Sequence, residues 1–295
     1  MGEHKYNRSN VAAGIVTYNP DIQRLTENIA AIRPQVDRVI LVDNGSDNAI
    51  ERLRPFSDSA DIQIILNDQN IGIAAALNQI MTAAEAGGYP WCVTLDQDSV
   101  SPDGMVAAYL NYDQIDDAVG IMFPLRVDRN RPNFSYKHTG DYQVFTTGLG
   151  PITSGAMVNL DAWRTVGGFF EPLFIDYVDF EFNARLFRHG YKAVRENQQQ
   201  LVHELGRCEE RMFFGKKVIL TNHSPMRKYY KARNALYYNA VYRDQTAVRK
   251  YKQHLRHEMV KLALYEKNWL KKCIAILRGM HDFRKFLQQY QDRTI

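Results

Sequence analysis

Apolar residues in the first hundred positions follow two alternating rhythms. Short, mostly apolar runs lie at 11–16, 62–66 and 91–95, and 36–42 contains another, Val39-Ile40-Leu41-Val42. Each is too short for a buried helix and ends in turn-forming residues, so each reads as a buried strand. Between them the spacing changes. Ile22, Leu25, Ile29 and Ile32 mark one face of a helix, with Asp21 at its positive end. Residues 50–56 and the alanine-rich 73–86 also read as helices, the latter closed by Gly87 and Gly88. This strand–helix alternation predicts a doubly wound, mostly parallel sheet with right-handed crossovers. Further strands are expected at 120–125, 152–158, 191–194, 200–202 and 218–220, and helices at 161–166 and 182–189. The polar stretch 126–150, carrying Tyr136, His138, Tyr142 and Phe145, predicts a mobile loop or small hairpin serving as a lid. From Arg227 onward the spacing is helical to residue 290, so the expected division is a domain over 1–225 and a helical extension over 226–295.

The strand ends carry the candidate chemistry. They deliver Thr17, then Asp43-Asn44-Gly45-Ser46, then Asn70 and Gly72, then Asp96-Gln97-Asp98. A parallel sheet gathers these at one edge, where open α/β sheets bind ligands. Asp96 and Asp98 stand at i and i+2, on one side of an extended backbone. Two such carboxylates suit Mg2+ or Mn2+ shared with a substrate diphosphate, and equally suit a turn that closes a strand. The Gly72 segment could cradle a phosphate at a helix start. Neither G-x-G-x-x-G nor a P-loop occurs, and 11–20 lacks the Gly- and Lys-rich loop of a nucleotidyltransferase. Gly155 reads either as a bulge or as a close approach to ligand. Asp179 reads locally as an acid capping the helix that follows.

Charge divides the chain unevenly. Residues 226–295 hold 17 Lys and Arg against 5 Asp and Glu, whereas residues 1–225 are net acidic. A basic, aromatic-rich tail suits nucleic acid, a membrane surface or an anionic substrate. No nucleic-acid-binding signature accompanies it, so nucleic acid is not expected, although a non-catalytic basic nucleic-acid-binding protein is the alternative class. The three cysteines are scattered, which argues for a reducing compartment. The N-terminus lacks a signal-peptide core and no apolar run would span a bilayer. The expectation is a cytoplasmic protein, with contact at the inner face of the cell membrane left open.

Taken together, Thr17-Tyr18-Asn19, Asp43-Asn44-Gly45-Ser46, Asn70-Ile71-Gly72 with Asn78, Asp96-Gln97-Asp98, and Asp179 six residues before Arg185 stand in a recognisable order. The chain resembles the inverting family 2 glycosyltransferases of the GT-A fold. It looks most like their bacterial rhamnosyltransferase branch, through Leu95-Asp96-Gln97-Asp98-Ser99, Phe174-Ile175-Asp176-Tyr177-Val178-Asp179, His203-Glu204-Leu205-Gly206 and the run from His223-Ser224-Pro225 to Arg233-Asn234. The resemblance spans residues 11–239 and implies a Rossmann-like, mostly parallel sheet flanked by helices, with a basic helical C-terminal extension.

It also implies roles. Thr17 and Asp43 would meet the base, and Asn70, Gly72 and Asn78 fall in the nucleotide-sugar motif. Asp96 would lie near ribose or metal, Asp98 would bind Mg2+ or Mn2+, and His203 would complete the metal or diphosphate site. Arg227 and Arg233 would assist the diphosphate. Asp179 matches the general base. Val178 replaces the acid that usually precedes it, so Asp176 or Glu181 could share that role. The implied substrate is a nucleotide sugar, most simply dTDP-L-rhamnose, with a UDP-hexose as the alternative. The implied acceptor is a lipid-linked saccharide in O-antigen or capsule synthesis. A homodimer through the tail is a further expectation.

Overall fold

The structure, a computed structural model, describes residues 6–112, 116–128, 140–203, 209–213 and 216–290. Two compact units emerge: Met1–Pro172 with Val178–Glu204, and Leu173–Tyr177 with Leu205–Ile295.

The first unit opens with β1 (Val11–Thr17), α1 (Ile22–Ile32), β2 (Arg38–Asp43), α2 (Ala49–Leu53), β3 (Ile62–Leu66), α3 (Ile73–Ala86) and β4 (Trp91–Asp96). It continues with α4 (Met105–Leu110), β5 (Val119–Asp128), β6 (Tyr142–Phe145), β7 (Ala156–Asn159), α5 (Leu160–Thr165), α6 (Val178–Arg188) and β8 (Lys192–His203). Its eight strands form one sheet in the order β3-β2-β1-β4-β7-β5-β8-β6. The pairs β3–β2, β2–β1, β1–β4 and β5–β8 are parallel, while β7 and β6 run against their neighbours. A Rossmann-like, mostly parallel sheet is what the sequence predicts.

Every residue of β1 is buried, as expected of a central strand covered on both faces. Helix α1 starts where the Asp21 carboxylate accepts the Arg24 N–H (3.1 Å) and buries Leu25, Ile29 and Ile32 on the predicted face. Helix α3 has the predicted bounds and turns Ala74, Leu77, Met81 and Ala84 inward. It rides close to β1 because Gly14 has no side chain: a Cβ there would stand 2.0 Å from Ile80 Cγ2. Cys92 is buried in β4, and burial pushes its thiol up, leaving an inert apolar filler.

Details differ from expectation: the strand expected at 152–158 begins only at Ala156, as β7. The two short strands at 191–194 and 200–202 are one strand, β8, whose pairing with β5 shifts register between Pro124 and Leu125. Of the expected lid, residues 129–139 lie outside the described residues, and Tyr142 and Phe145 belong to β6. In the second unit, β9 (Glu209–Phe213), not expected from sequence, pairs antiparallel with β10 (Lys216–Leu220).

The second unit then runs through α7 (Pro225–Tyr242), α8 (Gln245–Tyr265) and α9 (Trp269–Tyr290). Ser224 and Asp244 cap α7 and α8, with Pro225 at the favoured first position of α7. Asn268, at φ 56°, sits in the turn before α9. Ala232, Leu236, Val248, Leu255, Leu262, Ile276 and Phe283 form the core shared by these helices. Two ion pairs with little exposure add direction: Lys228–Glu258 (2.7 Å) joins α7 to α8, and Lys272–Glu266 (2.6 Å) closes the turn before α9. Among the described residues no helix is long and apolar enough to cross a membrane.

Substituting Gly14→Ala should cost about 1–3 kcal/mol, because Ile80 is buried and cannot swing away. Urea denaturation of Gly14→Ala, Ile80→Ala and the double variant should reveal favourable coupling, the second change relieving part of the first.

Candidate active site

The ends of β1, β2 and β4 lie side by side: Thr17 pairs in register with Asp43, and Val16 with Asp96. Asp43 is fully buried and its carboxylate is met by three donors. Thr17 Oγ1 donates at 2.9 Å, Ser46 N at 2.8 Å and Ser46 Oγ at 2.6 Å. Three donors offset the cost of taking that charge out of water. Ser46 Oγ in turn accepts the Asn19 N–H (2.6 Å), so the turns after β1 and β2 are tied together. Gly45, at φ 84°, lets that turn press on the next loop, since a Cβ would meet the Gln69 backbone at 2.5 Å.

An amide chain carries the arrangement to the start of α3. Asn44 donates to Asn70 Oδ1 (3.2 Å) and accepts from Ile71 N (3.0 Å). Asn70 Oδ1 also accepts from Gly72 N (3.0 Å), placing Gly72 at the helix N-cap. Thr17, Asp43, Asn70 and Gly72 thus belong to one hydrogen-bonded rim. Asn78 stands farther along α3 and its amide is fully engaged. It donates to Phe169 O and Glu171 Oε1 (both 2.9 Å) and accepts from Trp163 Nε1 (3.1 Å) and Phe169 N (2.8 Å). Asn78 therefore clamps α3 to the segment after α5.

On the other side of β1, the backbone of Asp96 is pinned. Its carbonyl accepts from Asn28 Nδ2 (2.7 Å) and its N–H donates to Ser154 Oγ (3.2 Å). Gln97 Oε1 receives the Tyr18 N–H (2.8 Å), joining this strand end to that of β1. Asp96 and Asp98 are half-buried. Two hard carboxylates at a half-buried edge fit a divalent cation that completes its coordination with diphosphate oxygens and water. Among the described residues no group of three or more His, Cys, Asp or Glu side chains could hold a metal, so the described side chains alone do not make a closed cage. His203 ends β8, and its side chain lies outside the described part of the structure.

Asp179 occupies the first turn of α6. It is linked to the β4 edge through residues 151–155, a connection sequence reasoning missed. Asn183 Nδ2 donates both to Asp179 O (2.8 Å) and to Pro151 O (2.7 Å). Three residues on, Ser154 holds Asp96 N and Ser99 Oγ (2.7 Å). Gly155 packs here against protein: a Cβ would meet Leu201 Cδ2 at 2.7 Å. Glu181 is committed elsewhere. Buried on α6, it pairs with Arg185 through both oxygens, Nε–Oε1 at 2.8 Å and Nη2–Oε2 at 2.7 Å. Arg185 also donates to the carbonyls of Val166 and Gly168. The four-residue spacing of Glu181 and Arg185 was the available sequence signal.

The remaining candidates belong to the second unit. Asp176 accepts from Arg227 Nε and Nη2 (both 3.2 Å at the closest oxygen), and Arg227 Nη1 has no hydrogen-bond partner among the described residues. Arg233 is buried, with its guanidinium 4.0 Å from the Phe286 ring centroid and 4.9 Å from that of Tyr230. Beside it, Asn234 Nδ2 reaches the carbonyls of Leu173 and Ile175 (both 2.8 Å) and of Asp176 (3.0 Å). That amide holds a strained loop, in which Phe174, Asp176 and Tyr177 all have positive φ. Phe174 stacks on Tyr230 with ring centroids 4.8 Å apart.

The sequence pattern of glycosyl transferase family 2 matches residues 13–171. The chain belongs to that family. It is a glycosyltransferase. It is 29% identical, over 77% of its length and 79% of the other, to the dTDP-rhamnosyl transferase RfbF of Shigella flexneri. Two solved structures share its fold. One is GalNAc-T7, captured with UDP, GalNAc and Mn2+, at TM-score 0.61 and 12% identity. That alignment covers 97% of this chain but only 57% of GalNAc-T7. The other is residues 1–349 of S. aureus TarS, at TM-score 0.52 and 11% identity, covering 95% of this chain and 73% of that one.

Arg185→Leu should destabilise the protein by about 3–5 kcal/mol, because it strands the buried Glu181 carboxylate; Asp179→Asn should leave the urea midpoint nearly unchanged. His223 provides a pH test. Burial, then the charges of Arg227, Lys231, Lys228 and Lys272, push its ring down to about 3, and its buried Nδ1 has no hydrogen-bond partner among the described residues. The unfolded chain takes up that proton near pH 6.5 while the folded chain does not. Stability should therefore decline as pH falls from 6.5 toward 3, and His223→Gln should make the decline shallower in denaturation series.

Proposed function

We propose that this glycosyltransferase moves L-rhamnose from dTDP-L-rhamnose to a lipid-linked saccharide acceptor, at the cytoplasmic membrane face, in the assembly of a surface polysaccharide such as O-antigen or capsule. The observation that carries the donor is the likeness to the Shigella flexneri dTDP-rhamnosyl transferase, which extends over most of both chains.

In this reading the rim from Thr17 through Asp43 to Asn70 and Gly72 receives the nucleoside. Its hydrogen bonds are made before the ligand arrives, so little ordering remains on binding. Asn78 acts at one remove, by fixing α3. Asp96 and Asp98 would hold Mg2+ or Mn2+ against the diphosphate. When bound, such a cation supplies stabilisation of the negative charge that the departing nucleoside diphosphate acquires.

Asp179 accepts the proton of the acceptor hydroxyl as that oxygen attacks the anomeric carbon. The bond from that carbon to the diphosphate breaks in the same displacement, so configuration inverts and no covalent glycosyl-enzyme forms. Glu181 is paired with Arg185 and Asp176 with Arg227, and the base role goes to Asp179 because it is the residue that matches the family's general-base position. Arg227, whose Nη1 has no hydrogen-bond partner among the described residues, is the arginine suited to meet an anion. Arg233 serves by supporting the aromatic packing around the loop at 173–177.

The test is turnover across dTDP-L-rhamnose, UDP-glucose, UDP-galactose and UDP-N-acetylglucosamine, with Mg2+, Mn2+ or EDTA. The expected result is metal-dependent use of dTDP-L-rhamnose, lost with EDTA and in Asp98→Ala. Asp179→Asn should lower kcat by about 10²–10⁴-fold while donor binding persists. Preference for a UDP-sugar would overturn the donor and keep the chemistry; undiminished turnover in Asp179→Asn would remove the base assignment.

A further inference from the structure

Helix α9 is apolar on two faces. One, including Ala275, Ile276, Gly279 and Phe283, is buried in the helical unit. The other carries Leu270, Ile274 and Leu277 at the four- and three-residue spacing of a single stripe, each at least half exposed. The stripe extends around the turn. Trp269 at the start of α9 is 44% exposed, and Val260 and Leu264 on α8 are 54% and 57% exposed. Isolated exposed aliphatic residues are ordinary, but six within eighteen positions of one helical hairpin form a feature that needs an occupant.

The charges beside the stripe point to what that occupant is. Lys267, Lys271 and Arg278 are exposed. Lys272 is not free to contribute, being buried against Glu266. Between Glu266 and Asp282 there is no carboxylate. An apolar stripe flanked only by cations complements a surface that is apolar below and anionic above. A second copy of the same stripe would set these cations against one another.

We propose that the α8–α9 hairpin lies on the surface of an anionic lipid bilayer, with Trp269, Leu270, Ile274 and Leu277 entering the headgroup–acyl boundary and Lys267, Lys271 and Arg278 meeting lipid phosphates. The attachment is peripheral, since no described helix can span a bilayer. The inference does not depend on which sugar is transferred.

Sedimentation of the full chain with phosphatidylcholine vesicles, with and without about 30% phosphatidylglycerol, tests it. The expected result is binding to the anionic vesicles, weakened by salt, reduced about tenfold by Trp269→Ser/Leu270→Gln/Ile274→Gln and also reduced by Lys267→Gln/Lys271→Gln/Arg278→Gln. Both variants alter exposed positions, so the urea midpoint and turnover on a soluble acceptor should match wild type. Trp269 gives a second readout. Trp91 and Trp163 are buried, so a blue shift in emission on vesicles should vanish in Trp269→Phe while binding persists. Equal binding to neutral vesicles, binding unchanged in the apolar variant, or no binding would each overturn the proposal. So would a dimer in ultracentrifugation that the apolar variant dissociates, which would assign the face to a second copy.

Discussion

A carboxylate removed from water must be met by donors, and the placement of Asp43 makes this requirement govern the whole sheet edge. Asp43 closes a buried strand, so its donors have to come from what lies beside and after it. Thr17 supplies one from the neighbouring strand and Ser46 supplies two from the turn. Once those bonds exist, the turn after β2 cannot move without the end of β1, and through Asn44 and Asn70 neither can move without the start of α3. The rim inherits its shape from the demand of one charge. On the other flank the backbone of Asp96 is held by Asn28 and Ser154, so the Asp96–Asp98 pair is presented from a fixed strand end.

The sequence made much of this legible because the main signals are local. Continuous apolar runs announced the central strands, and spacing gave α1 and α3 nearly residue for residue. A parallel sheet places all strand ends of one direction together, so Thr17, Asp43 and Asp96 could be grouped without coordinates. What stayed hidden depends on long-range partners. No local pattern says that Asn183 bridges Asp179 to Pro151, or that Ser154 reaches Asp96. β9 was hidden because its charged sequence shows no alternation. The break between α8 and α9 was hidden because helical spacing runs almost through it, and one left-handed asparagine is enough to turn the chain.

The second unit shows how a conformational cost is localised. Three residues with side chains in the left-handed region, within four positions, would not persist in an isolated peptide. Here a single buried amide, Asn234, collects three carbonyls of that loop, while Arg227 holds the Asp176 side chain and Tyr230 stacks on Phe174. The loop leads directly in sequence into Val178 and Asp179. The backbone that precedes Asp179 is thus specified by side chains more than fifty residues later.

The lack of a side chain at Gly14 has a consequence that reaches beyond this one molecule. Positions 14 and 80 share a volume that holds one side chain of isoleucine size and no more. Drift at either is therefore not independent: enlargement at 14 is tolerated only after a reduction at 80, and a reduction at 80 alone leaves a hole. Among descendants of a common ancestor the two positions should change as a pair, leaving a record of the strand–helix contact in the sequences themselves.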